Sequence, residues 1–294
     1  MAVAVSRVRW REFPGCWDRA GDPAFTELIA DLVQPYGVPL RPAADGGHSY
    51  GEMLAGLIGD LVPPALPADV LILGFAMPDV WPERATATFL SHACPGNPLA
   101  FAVCDQGCAA GFTALRLARD YAANGSRRVL VALAEQARLD YDPPAPARVP
   151  TRQAAFALLC EARSEADPAA TAAAGGPGED GAPLLAAVRV LPGVAAGEVP
   201  ALLRRELADL PAAEPDEEKR DEGQRLLVLG EGLAPLAGGH RPGWRSVPLP
   251  PGQPLTGVWR ELAAWSAGPG RGGLAVADYD PGLGYLCLAF FAST

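Results

Sequence analysis

No stretch of the 294-residue chain approaches the roughly 20 consecutive apolar residues that a bilayer-crossing helix needs. The start of the chain is apolar only as far as Val5, before Ser6 and Arg7, too short for the core of a secretory leader. Positive charge is scarce: 24 Lys and Arg stand against 34 Asp and Glu, for a net charge of −10. Such a balance lacks the footprint of a nucleic-acid binder and gives no pull toward an anionic membrane. The pairs Arg127-Arg128 and Arg204-Arg205 read as solvated helix or turn ends. Cysteine occurs six times but never as C-x-x-C, which removes the usual structural zinc pattern. His48, His92 and His240, the three histidines, all stand in polar or turn-rich contexts. These absences imply a cytoplasmic protein with reduced thiols, no nucleic-acid or membrane partner, and no metal or cofactor.

What is present is apolar material, 49% of the chain, ample for a large core as one domain or as two fused halves. Gly (33) and Pro (31) are abundant without a G-X-Y period, so they mark turns and loops. Apolar residues at helical spacing predict helices over 24–33, 49–61, 84–92, 109–124, 198–207 and 256–265. Ser49 followed by Glu52 forms a capping-box pattern, and Asn124-Gly125 is a helix stop. Short apolar runs predict buried strands over 69–74, 99–104, 128–133, 154–160, 184–191, 225–230, 274–278 and 284–291. Strands alternating with helices predict an α/β fold, a mostly parallel sheet covered by helices on both faces. A small, polar, Gly-rich stretch at 163–182 reads as a linker between halves 1–162 and 183–294, and 211–223 as a charged loop.

The stretch from Phe101 to Phe112 (FAVCDQGCAAGF) carries the chemistry. A strand reaches a tight turn, and a long helix begins there among small residues. A cysteine at that helix N-terminus sees the positive end of the macrodipole and unpaired backbone N–H groups. Both favour thiolate over thiol, and the same N–H groups can stabilise an oxyanion on a bound thioester. Cys108 therefore reads either as a nucleophile or as a small buried residue at a crowded turn. Cys104 ends the strand and reads first as core. Cys16, Cys94, Cys160 and Cys287 have no comparable setting.

This stretch resembles the nucleophile region of 3-oxoacyl-(acyl carrier protein) synthase III, D-x-x-A-A-C-A-G-F followed by a helix, a Gly and a V-L-V strand. The resemblance continues backwards through ADVLILGFAMPDVWPERATATF and forwards to YDPGLGYLCLAFF, so weak matches follow one another in order along most of the chain. It implies a thiolase-like fold, two duplicated strand-helix halves layered αβαβα. It also implies Gly282 as the second oxyanion-hole donor, with Gly107, Ala109 and Gln253 around the substrate. The departures are specific. Counted back from Gly111-Phe112, the family cysteine falls on Ala109, one residue after Cys108. The family histidine falls on Gly230, and the asparagine on Gln253 in Gly252-Gln-Pro254. The family's F-G-D-G-A-G-A turn falls on Pro150–Ala155, where the residues are P-T-R-Q-A-A. Losing two carbonyl donors puts decarboxylative condensation in doubt, whereas simple acyl transfer needs only a nucleophile and an oxyanion hole.

Three readings follow. The first is an acyltransferase taking an acyl group from a coenzyme A or carrier-protein thioester through Cys108 or Cys104, in lipid or polyketide-type biosynthesis. The second is a catalytically degraded partner subunit of an active synthase, a homodimer or heterodimer paired through the strand over 128–133. The third is a thioester decarboxylase or hydrolase. Asp278 and Asp280 read as turn formers, Glu135 carries no assigned chemistry, and Trp259 and Trp265 read as core.

Overall fold

Runs of Val, Leu, Ile and Ala closed by turns become ten strands in the computed structural model, which describes residues 2–15, 23–41, 47–143, 148–163, 182–211, 225–237, 243–268 and 272–293. In chain order the elements are β1 (Ala2–Glu12), α1 (Pro23–Val33), α2 (Tyr50–Leu61), β2 (Val70–Gly74), α3 (Thr86–Ala93), β3 (Leu99–Val103), α4 (Ala109–Ala123), β4 (Arg128–Glu135) and β5 (Ala154–Arg163). There follow β6 (Leu184–Leu191), α5 (Val199–Ala208), β7 (Arg225–Leu229), β8 (Trp244–Pro248), α6 (Gly257–Ala267), β9 (Leu274–Asp280) and β10 (Tyr285–Ala292). The capping box forms: Ser49 Oγ accepts from Glu52 N at 3.2 Å, and Glu52 Oε2 accepts from Ser49 N at 3.1 Å. Gly125, at φ +102°, closes α4 in the left-handed region that glycine tolerates. The expected linker 163–182 and loop 211–223 lie, apart from their end residues, outside the described residues.

The strands form one sheet in the order β3-β2-β4-β5-β1-β6-β10-β9-β7-β8. Read inward from β3, the first half runs first-half strands 3-2-4-5-1. Read inward from β8, the second half repeats that order with β6–β10 in the places of β1–β5. The duplication is thus written in the hydrogen bonding. The sheet is mixed: β2 pairs in parallel with β3 and β4, and β7 with β8 and β9. The inner joins β4–β5, β5–β1, β1–β6, β6–β10 and β10–β9 are antiparallel. The parallel share is smaller than strand-helix alternation implies, because among the described residues no helix crosses between β4 and β5 or between β9 and β10.

Side chains alternate across each strand, and the two faces feed different cores. On β4, Val129, Val131 and Leu133 face α4, while Leu130, Ala132 and Ala134 face α2. On β9, Leu274 and Val276 join the α4 side, while Ala275 and Ala277 join the cluster around α5. Helices α4 and α6 form the middle layer, with α2 and α3 outside one half-sheet and α5 outside the other, giving αβαβα. Trp259 of α6, fully buried, locks the middle layer: its ring centroid lies 4.8 Å from Phe112 of α4 and 5.7 Å from Phe156 of β5. The second half thereby anchors in the first.

Two strands change place relative to the sequence reading. The strand over 128–133 is not an edge; β4 lies between β2 and β5 and is buried along its length. The edge is β3, expected as a buried strand, with Leu99 59% exposed. β1 and β8 have no counterpart among the expected strands. In β1 a register shift between Val5 and Arg7 breaks the apolar alternation that would have announced it. Truncation of the middle-layer anchor, Trp259→Ala, is expected to lower the unfolding free energy by about 3–5 kcal/mol, measured by urea denaturation followed by circular dichroism.

Candidate active site

Beyond β3 the chain turns sharply and delivers Cys108 as the residue capping α4, with Asp105 at φ +59° and Gly107 at φ +51°. A Cβ on Gly107 would overlap the Asp280 carboxylate and approach Leu283, so glycine lets the β9–β10 turn close over the elbow. The N–H groups of Ala109 and Ala110 turn back to Gln106 O (2.9 Å) and Gly107 O (3.3 Å). The Cys108 N–H has no acceptor among the described residues and is a free donor of the elbow. Ala109, at the family cysteine's position, is fully buried and offers only a methyl group.

The thiol behaves opposite to the sequence expectation. Cys108 is 3% exposed, and burial pushes its pKa well up. Asp278, Cys287 and Asp280 push the same way, and only Arg148 opposes them. Desolvation beside acids outweighs the helix dipole, which is worth at most about 2 kcal/mol. The resting group is a neutral thiol. Cys104 lies just past β3, partly exposed rather than in the core, with Sγ donating to Asp105 Oδ2 at 3.3 Å. Burial, and then Asp105, raise its pKa too.

Two turns of the second half carry the positions that the resemblance gives to the family's histidine and asparagine. After β7 comes Gly230-Glu231-Gly232, where a Cβ on Gly230 would overlap the Asp278 carboxylate. At the position where the resemblance places a histidine, Gly230 leaves a gap into which a buried acid packs. Asp278 is no turn former; it lies inside β9, 1% exposed, paired with Cys287 of β10. Its Oδ1 accepts from Tyr279 N (2.8 Å) and Gly232 N (3.1 Å). Its Oδ2 meets no donor among the described residues. Burial drives its pKa up to about 7, helped by Glu231 and resisted by the two N–H groups and Arg148.

After β8 comes Gly252-Gln253. Glu231 ties this turn to the first, accepting from Gly252 N at 2.8 Å through one oxygen and from Arg148 at 2.9 Å through the other. The Gln253 amide nitrogen donates to Arg152 O at 2.9 Å. Gln253 is 9% exposed, and its Oε1 is buried without a partner. The Arg152 carbonyl decides the amide's orientation, since a carbonyl oxygen facing another carbonyl would be repelled. Behind this turn Glu135 accepts from Leu255 N (2.8 Å), Thr256 N (3.1 Å) and Thr256 Oγ1 (2.8 Å), and burial raises its pKa to about 7.

Gly282 does not offer the donor expected of it. Its N–H and that of Leu283 both donate to Asp280 Oδ1 at 3.0 Å, so Asp280, a turn former as expected, folds its carboxylate between that N–H and the elbow. The two described histidines, His48 and His92, contribute nothing to this constellation. His48 stacks near Phe13, with its ring nitrogen 3.4 Å from Pro14 O; His92 is exposed at the end of α3; His240 lies outside the described residues. Among the described residues no His/Cys/Asp/Glu cluster suits a metal ion, and no helix is long and apolar enough to cross a membrane. Sequence reasoning missed Asp278, Arg148, Glu231 and Cys287. The signal for Asp278 was present: a single acid inside Leu274–Tyr279, an otherwise apolar strand.

Duplicated half-sheets, five layers and a cysteine at the head of a middle-layer helix define the thiolase-like fold. Solved structures agree along the full length. The chain is similar to the tetronic acid condensing enzyme AbyA1 (TM-score 0.64, 16% identity, 99% of each chain covered). It is similar to acetamide-bound OleA from Xanthomonas campestris (TM-score 0.60, 15% identity, 99% of each chain). It is similar to 3-oxoacyl-(acyl carrier protein) synthase III, FabH, from Pseudomonas aeruginosa PAO1 (TM-score 0.58, 15% identity, 100% of this chain and 99% of that one). The fold is the one these structures share, and the positions at which the resemblance places a histidine and an asparagine hold Gly230 and Gln253. No family model and no curated protein sequence matches.

The raised carboxylates have a thermodynamic consequence. A carboxyl whose folded pKa lies above its unfolded value holds a proton that the unfolded chain has already lost. That contribution to stability is full below about pH 4 and is lost as pH rises through about 7. Asp278→Asn keeps an oxygen for the Tyr279 and Gly232 N–H groups. It is expected to reduce the decline of unfolding free energy over that window by up to about one proton's worth, read from urea midpoints at a series of pH values.

Proposed function

We propose that the protein is an acyltransferase that takes an acyl group from a coenzyme A or carrier-protein thioester onto Cys108 and passes it on without decarboxylative condensation. The observation that carries this reading is Cys108 at the head of α4 with its own N–H free, in a chain that has Gly230 and Gln253 where the resembled family has His and Asn. In the first step Cys108 Sγ attacks the thioester carbonyl and the Cys108 N–H receives the developing oxyanion; the bond from the acyl carbon to the donor sulfur then breaks, and the Cys108 proton leaves on that sulfur as the coenzyme A or carrier-protein thiol. The structural neighbours support the broader kind, a thiolase-like condensing or acyl-transfer protein. A second reading rests on the burial of Cys108 and its unfavourable thiolate: a non-catalytic partner of an active synthase, docked through the exposed edge β3.

Intact-protein mass spectrometry after incubation with acyl thioesters separates the two. The transferase reading expects a gain of one acyl group, lost in Cys108→Ala and kept in Cys104→Ala. Absence of any adduct across donors points to the partner reading, to be followed by co-purification. Asp280→Ala releases the Gly282 N–H as a second oxyanion donor. It is expected to speed acyl-enzyme formation roughly tenfold or more, followed as the rate of adduct appearance.

A further inference from the structure

At the two positions where the resembled family presents hydrogen-bond donors to a thioester carbonyl, this chain presents acceptors. Gln253 turns Oε1 away from Arg152 and leaves it buried and unpartnered. A buried acceptor without a donor is costly and is commonly completed by a ligand or water. Across the Glu231 bridge, Asp278 occupies the space left by Gly230, with Oδ1 saturated and Oδ2 meeting no donor among the described residues. Arg148, the cation that acts on Asp278, is held by Glu231 at 2.9 Å. An extender carrying its own carboxylate would meet Asp278 and Glu231 as like charges, whereas an O–H or N–H group completes both open acceptors.

The geometry points to an acyl acceptor that is an alcohol or amine, held by Gln253 Oε1 and Asp278 Oδ2, with Asp278 as its general base. This inference rests on the acyl-transfer reading and names its second substrate. The acceptor oxygen or nitrogen bonds to the acyl carbon as the carbon–sulfur bond to Cys108 breaks. Its proton passes to Asp278 Oδ2 and then to Cys108 Sγ, so the cysteine returns as a neutral thiol and the product is an ester or amide. The resting state suits this cycle: a carboxyl that titrates near neutrality beside a thiol held in its protonated form.

The test acylates the protein with an acyl thioester, removes excess donor, and follows loss of the adduct in buffer, with glycerol, with ethanolamine, and with a malonyl thioester. Glycerol or ethanolamine is expected to discharge the acyl group roughly tenfold or more faster than water, with the ester or amide appearing in step. Asp278→Asn, checked for an unchanged circular dichroism spectrum, is expected to slow this transfer roughly 100-fold or more. Gln253→Leu is expected to raise the acceptor KM roughly 2- to 10-fold with a smaller change in kcat. Discharge by the malonyl thioester alone, equal rates with and without acceptor, or full activity in Asp278→Asn would each overturn the inference. Acceptor binding is read separately by saturation-transfer NMR. Ethanolamine bound by wild type and released in Gln253→Leu supports the inference even where no acyl-enzyme forms, which sinks the transferase reading alone. Preference for acetate over ethanolamine overturns it.

Discussion

At the end of β4, Glu135 leaves the first half-sheet and takes its three hydrogen bonds from the second half, at Leu255 N, Thr256 N and Thr256 Oγ1. A buried carboxylate is expensive unless its lone pairs are met, and here they are met by the start of α6. The arrangement fixes where α6 begins, and hence where Gln253, just ahead of it, stands relative to the elbow. Trp259, one turn into α6, then fills the space between Phe112 and Phe156. The site lies between two halves of similar design, and one polar anchor followed by one aromatic anchor sets their alignment.

The chain shares its fold with its structural neighbours, and what is particular to it lies in the turns of the second half. In the first half the elbow survives: strand, sharp turn, cysteine, helix. In the second half the turn after β7 carries Gly230, and the carboxylate of Asp278 from the neighbouring strand packs against it. Gly230 and Asp278 form a pair, since the acid fits only because the glycine has no Cβ. The same close fit recurs at Gly107 and Asp280. Acidic residues of one β-hairpin thus press on both sides of the elbow, which explains why the Cys108 thiol is held protonated at a helix N-terminus that would ordinarily favour the anion.

How much of this could be read from the sequence follows from the range of each signal. Ser49-x-x-Glu52, Asn124-Gly125 and the apolar runs at β2, β4 and β9 are local, and they folded where local physics put them. The order of weak matches around Phe101–Phe112 carried the architecture. Edge and interior could not be told apart, because Leu99–Val103 and Arg128–Leu133 are both short apolar runs and only pairing decides which is covered. β1 was hidden by its register shift. The site's electrostatics were hidden for another reason: Asp278, Glu231 and Arg148 are far apart in sequence, and a pKa depends on who stands nearby and how dry the place is.

The join between the halves has an implication for chain connectivity. Leu184 of β6 lies opposite Ala4 of β1 on one side and Ala292 of β10 on the other. The start of the first strand and the end of the last therefore flank a single residue, two strand spacings or about 10 Å apart. A few residues could bridge that distance. The strand pairings, the middle helix layer and the facing turns are indifferent to which half is synthesised first, and the architecture would be preserved in a circularly permuted chain that begins at β6.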